Sequence, residues 1–241
     1  MIKSNLKNFE NSPQIYARTA GILYLIIIIA GVFGELFVRN KLIVYGNAEA
    51  TANHIMHSEF LWRFGITADL VMHLCDLPVM IILYYLFRPV SKKLALLNLS
   101  FNLIQTAVLV LNKLNLLVAL FFLGDSEYLK SFSPEQLHSL SYMAIKVHDF
   151  GFGIGLLFFG FVCLFEGYLI FKSNYIPKAF GVLMSIAGLC YISNTLALLL
   201  APQLSSIALL MPCFIAELSL SLWLIFKGVK ITEWKTAIAK N

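Results

Sequence analysis

The sequence predicts an all-α fold: a polytopic transmembrane bundle of six spans with both termini in the cytoplasm. Three observations carry this. First, 59% of the 241 residues are hydrophobic and 13% are charged, against roughly 45–50% and about 25% in a soluble domain. With a mean hydropathy of +0.81, too few polar side chains remain to coat a water-soluble surface. Second, six apolar stretches reach the ~20 residues that a helix needs to cross hydrocarbon. Third, lysine and arginine alternate between the ends of these stretches in a consistent way.

The chain is expected to begin with a polar cytoplasmic tail, residues 1–18, followed by a transmembrane domain over 19–227. The spans are read at 19–38, 64–87, 94–123, 142–171, 179–200 and 207–226. No A-x-A-like site follows the first apolar run, so it reads as a retained span and not as a signal peptide. Between spans one and two, residues 47–60 form an expected external interfacial helix. Asn47 is its N-cap, and Ala52, Ile55, Met56 and Phe60 lie at helical spacing. An external loop, about 124–141, ends in "SPEQ", a capping box from Ser133 to Gln136 with Pro134 at the first helical position. A second tail, 228–241, follows span six.

Orientation rests on Lys3, Lys7 and Arg18 before span one, and on Arg88, Lys92 and Lys93 between spans two and three. Lys172 and Lys178 between spans four and five, and Lys227, Lys230, Lys235 and Lys240 after span six, add to it. The opposite side carries Arg39, Lys41, Arg63, Lys130 and Lys146, diluted by acids. The positive-inside rule then puts both termini in the cytoplasm, and the chain is expected to be a multi-pass protein of the cytoplasmic membrane. Trp62 and Trp223 fall near opposite interfaces, as aromatic anchors. The +5 formal charge is that of cationic loops. No basic, aromatic-interleaved patch accompanies it, so no nucleic-acid partner is expected; the partner is the lipid bilayer. Oligomeric state is not legible. Cys75, Cys163, Cys190 and Cys213 lie in apolar segments without C-x-x-C spacing, which argues against a disulfide framework or a zinc finger.

The polar residues within the spans carry the functional reading. In span two Asp69, His73 and Asp76 lie at about 0°, 40° and −20° around the helix, one narrow stripe. Glu35 in span one, Asn112, Lys113 and Asn115 in span three, His148 and Asp149 in span four, Ser193 and Asn194 in span five and Glu217 in span six all fall in the expected outer half. Each charge costs about 2.5–3.5 kcal/mol in hydrocarbon, so these groups should face one another or water. Lys113 lies roughly 15 Å from its helix end, too deep to snorkel, and needs Asp69, Asp76 or Glu217 as an internal partner. Glu35, Asp69, Asp76, Asp149 and Glu217 outnumber Lys113. That acid excess calls for protons or a bound cation. Pro78 and Pro212 should free the carbonyls of Leu74 and Ala208 beside it.

Three functions fit this pattern. The first is binding or transport of a small polar or cationic ligand by Asp69, His73, Asp76, Lys113, His148, Asp149 and Glu217. The second is a metal-dependent intramembrane hydrolase, with Asp69, His73, His148 and Asp149 holding a divalent cofactor. The third is a structural protein whose polar groups only join helices. Hydrolase and nucleotide-binding templates such as G-x-S-x-G, H-E-x-x-H and the P-loop are absent from the sequence. Outside the cluster, Glu59 and Arg63 read as an i,i+4 surface pair. Asn98, Asn102 and Gln105 read as interhelical glue, and Gly151, Gly153 and Gly155 as sites of close packing. Glu166 reads as reaching the interface, and His54, His57 and His138 as solvated.

The segments "ARTAGILYLIIIIAGVFGE", "ATANHIMHSEFLWRFGITADL", "LYYLFRPVSKKLALL" and "GLLFFGFVCLFEGYLIFKSNYIPKAFGVLMSIAGLCYI", with the "LAP" at Leu200–Pro202, carry a resemblance. Together they resemble the domain of unknown function 4386 family of bacterial integral membrane proteins. That resemblance implies a membrane location and transfers no active site onto these residues.

Overall fold

A computed structural model of the chain describes residues 12–239. The polar tail up to residue 11, with Lys3 and Lys7, lies outside the described residues, as does Lys240. Among the described residues there is no strand. Helix α1 runs Pro13–Val32 and continues as a π-helical stretch, Phe33–Arg39, and a closing turn, Asn40–Leu42. The remaining helices are α2 (Ala48–His57), α3 (Glu59–Phe87), α4 (Lys92–Phe122), α5 (Pro134–Ser173), α6 (Lys178–Leu200), α7 (Met211–Phe226) and α8 (Ile231–Ala239). Among the described residues, six helical segments are long and apolar enough to cross a membrane. They correspond to the six expected spans, and the chain is a multi-pass membrane protein.

Local chemistry accounts for the helix ends. The Asn47 side chain accepts from the Ala50 amide at 2.9 Å, capping α2. At the start of α5 the Gln136 carboxamide accepts from the Ser133 amide at 2.8 Å, and the Ser133 hydroxyl accepts from the Gln136 amide. Two orphan donors are thereby satisfied reciprocally. Pro78 sits inside α3. Pro212 does not interrupt a helix as expected: α7 starts at Met211, so the proline occupies a first-turn position where no helical bond is lost.

The chain divides into two compact units. One comprises the chain up to Ile26, Leu74–Thr106 and Gly153 onward; the other comprises Ile27–His73 and Ala107–Phe152.

In the first unit, α5 and α6 approach backbone to backbone. A Cβ at Gly188 would lie 2.6 Å from the Gly160 carbonyl, and one at Gly181 would lie 2.6 Å from the Gly167 carbonyl. Glycines seven residues apart on each helix thus make the contact, as small residues do in membrane bundles. Asn98 on α4 donates to the Val162 carbonyl at 2.9 Å, and Ser221 on α7 to the Gly21 carbonyl at 3.0 Å. At the last turn of α3 the Leu86 carbonyl has no helical partner. It accepts from the Tyr175 hydroxyl at 2.7 Å and from the Trp234 indole at 3.2 Å. Burial holds the Tyr175 phenol well above its ordinary pKa. Trp234 is fully buried, so α8 is anchored structure within the stretch expected to be a tail.

The second unit has its own apolar core of Val38, Leu42, Ile55, Trp62, Ile66, Leu116, Ala119 and Ile145 with their neighbours. Trp62 is not an interfacial anchor. It is buried, and its indole donates to the Leu116 carbonyl at 3.0 Å. A buried indole N–H needs an acceptor, and this one finds it across the core. On α2, Ala52 and Ile55 are buried while Met56 is exposed, as is Phe60 just beyond it on α3.

Candidate functional site

The cluster containing most of the predicted site residues is built within the second unit, around Asp69 of α3. Its carboxylate is fully buried. Asp69 Oδ2 accepts from Arg39 Nη1 at 2.7 Å and lies 2.8 Å from Lys113 Nζ. Arg39 also donates through Nε to Glu35 Oε2 at 2.8 Å. The sequence reading left Arg39 on an external loop. The π-helical stretch carries the first helix through to Leu42 and buries this guanidinium. π-helical turns of this kind are frequent at functional sites. Gly34, within that stretch, makes the approach possible: a Cβ there would fall 2.5 Å from Asp69 Oδ1 and 3.1 Å from the Arg39 guanidinium.

Lys113 has a second polar neighbour, His148 Nε2, at 3.4 Å. An ammonium has no lone pair to offer, so His148 must accept at Nε2, and a neutral ring then carries its proton on Nδ1. That Nδ1 is buried and has no hydrogen-bond partner; Asp149 Oδ1 is 3.9 Å away. His73 Nε2 and Asp69 Oδ1 are likewise buried and unpartnered. Phe152 stacks on the His148 ring at 6.2 Å, and Lys113 Nζ stands 5.8 Å from the centre of the Phe152 ring. Behind His148, Asn112 donates to its backbone carbonyl at 2.9 Å, and Asn115 donates to Asn112 Oδ1 at 3.0 Å. Gly151 leaves room for Asn112, whose side chain a Cβ there would overlap. At the edge, Lys146 pairs with Asp149 at 3.2 Å and lies over the Tyr45 ring at 4.6 Å. Partial burial, with Asp149 adding to it, raises the pKa of the Tyr45 phenol.

Counting Arg39 changes the electrostatics. Arg39, Lys113 and Lys146 face Glu35, Asp69 and Asp149, so with neutral histidines the cluster balances. The acid excess expected from the sequence is absent from this unit, and so is the need for a bound cation there. The proposed metal set of Asp69, His73, His148 and Asp149 does not form a ligand sphere. Among the described residues no three His, Cys, Asp or Glu side chains are placed to hold one ion, and the bonded oxygen of Asp69 already serves two cationic side chains.

Asp76 and Glu217 belong to the other unit. Asp76 accepts from Thr106 and is hydrogen-bonded to Asn102. Glu217 accepts from Tyr191 and is hydrogen-bonded to Tyr24. Glu166, expected to reach an interface, is instead 3% exposed, and its Oε1 has no partner. The signal that could have placed it was its position between Cys163 and Gly167, which face the interior of the same unit.

These observations describe a multi-pass membrane protein with several buried charged groups, and a family comparison places it. A family model described as "Domain of unknown function (DUF4386)" matches residues 19–228. The chain belongs to the DUF4386 family. An uncharacterized protein of Archaeoglobus fulgidus is 27% identical over 172 residues, covering 70% of this DUF4386 chain and 87% of that protein. No solved structure matches it.

Proposed function

We propose that this DUF4386 chain binds a small polar solute at the Asp69 cluster. In this reading it is oriented with both termini in the cytoplasm, and the solute reaches the cluster from the opposite side. One observation supports it most: Asp69 Oδ1, His73 Nε2 and His148 Nδ1 are three buried polar atoms without partners in one neighbourhood. Buried polar atoms in proteins are almost always satisfied by protein or water. A group that offers one acceptor, one N–H and one imidazole nitrogen of either role suits a solute with both donors and acceptors. Charge balance favours a neutral or zwitterionic solute over a cation, which narrows the ligand class expected from the sequence.

The test is thermal unfolding of the purified protein with separate additions of polyols, sugars, amides, zwitterionic amino acids and choline chloride. A solute present at about 100 times its Kd stabilises by about 2.7 kcal/mol. The expected result is a raised Tm with one of the neutral or zwitterionic classes that His73→Ala and His148→Ala both lose. No shift from any class, or a shift that both variants retain, would refute the proposal. A shift from choline alone would return the reading to a cationic ligand.

A further inference from the structure

The first unit carries a cavity of about 590 Å³, within the roughly 300–1,000 Å³ of small-molecule sites. Hydrogen bonds hold its walls side by side. The Lys230 amide donates to the Tyr175 carbonyl at 3.0 Å. The Tyr175 hydroxyl and the Trp234 indole both donate to the Leu86 carbonyl, at 2.7 and 3.2 Å. The α3–α4 turn, the end of α5 and the start of α8 are thereby tied at one end of the unit. The turn contributes Ser91 to the cavity lining, α5 and the residue after it contribute Tyr168, Lys172 and Asn174, and α8 contributes Thr232 and Glu233. Burial of Trp234 fixes how α8 is turned and leaves Thr232 and Glu233 exposed beside it.

Depth and charge narrow what this cavity suits. Both α3, ending at Phe87, and α5, ending at Ser173, are long and apolar enough to cross a membrane. A cavity at those two ends sits where spans leave hydrocarbon and meet headgroups. Tyr168, one turn inside the end of α5, is half-exposed and supplies an aromatic edge of the kind found at that level. Lys92, Lys93, Lys172, Lys178, Lys230 and Lys235 all stand at this end, and Glu233 is the one acid among the described residues of these turns and α8. No described acid pairs with Lys172, whose ammonium lies 5.9 Å from the centre of the Tyr168 ring. The Ser91 hydroxyl accepts from the Leu94 amide at 3.3 Å and keeps its own proton to donate.

We propose that this cavity seats the headgroup of an anionic phospholipid. Lys172, with the Ser91 and Thr232 hydroxyls, takes the phosphodiester, and Glu233 accepts from hydroxyls of the headgroup. Basic pockets at the ends of membrane helices recognise anionic lipids in this way. A choline headgroup would bring a cation to an end already rich in them and would offer Glu233 no hydrogen bond. The site shares no residue with the Asp69 cluster, so its test is independent of solute binding.

Native mass spectrometry of the full chain released from detergent micelles, titrated with phosphatidylglycerol, phosphatidylethanolamine or phosphatidylcholine, provides the measurement. Phosphatidylglycerol is expected to stay bound to a several-fold larger fraction of the protein than either zwitterionic lipid. Lys172→Gln should lower that fraction several-fold, while Lys172→Arg keeps it. Lys178→Gln, at the same end but outside the cavity wall, should also keep it. Both lysines are exposed, so neither substitution opens the core. Equal retention of phosphatidylglycerol and a zwitterionic lipid, no loss in Lys172→Gln, or an equal loss in Lys178→Gln overturns the proposal. A large excess of water-soluble glycerophosphoglycerol should leave the lipid bound; its displacement would assign the cavity to a soluble phosphodiester and overturn the lipid assignment.

Discussion

Replacing Asp69 by asparagine tests the central electrostatic claim, because two cations depend on one oxygen. Arg39 Nη1 is 2.7 Å and Lys113 Nζ 2.8 Å from Asp69 Oδ2. After the substitution Arg39 keeps Glu35 at 2.8 Å. Lys113 keeps only a neutral imidazole nitrogen at 3.4 Å, so a buried ammonium is left without a counter-charge. Breaking a buried pair in this way costs about 3–5 kcal/mol. Lys113→Met has a different consequence. Asp69 remains paired with Arg39, and the loss is that of one charged hydrogen bond, about 1.5–3 kcal/mol. In the double variant no orphan lysine remains, so its cost should approach that of Lys113→Met alone. The coupling between the two sites then equals the cost of Asp69→Asn alone, about 3–5 kcal/mol, at or above the upper end of the range seen for residues in direct contact. SDS-titrated unfolding in mixed micelles, followed by circular dichroism on the four proteins, measures it. Additive costs, or Lys113→Met costing more than Asp69→Asn, would show that Asp69 is not the shared counter-ion.

Gly188→Val should separate α5 from α6, because its Cβ would meet the Gly160 carbonyl at 2.6 Å and the Leu164 amide at 3.0 Å, both backbone. A cost at or above about 3 kcal/mol is expected, read by the same unfolding assay. Trp234→Ala empties a fully buried site and leaves the Leu86 carbonyl with one side-chain donor in place of two; a loss of about 3–5 kcal/mol should appear as a lowered Tm. Arg63→Gln is the contrasting case. Its 2.7 Å pair with Glu59 has both side chains more than half exposed, and its removal should shift stability by no more than about 0.5 kcal/mol.

What the sequence made legible was either local or energetically unavoidable. Hydrophobic length locates spans because a bilayer imposes it. The caps at Asn47 and Ser133 are four-residue patterns that need no tertiary knowledge. The prediction that Lys113 must find an acid followed from cost alone, and Asp69 is that acid. What was not legible depends on how backbone and packing turn side chains. Counting residues at the spacing of a regular α-helix ends the first span before Arg39, and only the π-helical stretch carries that guanidinium inward to Asp69. Trp62 and Glu166 were assigned to interfaces by residue type. The burial of Trp62 goes with an acceptor at Leu116, and that of Glu166 with the turn of α5 toward the interior of its unit, neither visible from a single span. The expected stripe of α3 does not stay within one unit: Asp69 and His73 fall in one and Asp76 in the other.

That division changes the chemistry more than the geometry. While all the acids were assigned to one chamber, their excess over Lys113 implied a single cationic ligand. Arg39 neutralises the Asp69 group, leaving unpartnered atoms whose requirement is for hydrogen bonds and not for charge. Asp76 and Glu217, in the other unit, accept from the Thr106 and Tyr191 hydroxyls, and Glu166 Oε1 there has no partner. The solute proposed for the Asp69 group therefore need not answer the charge of Asp76, Glu166 or Glu217.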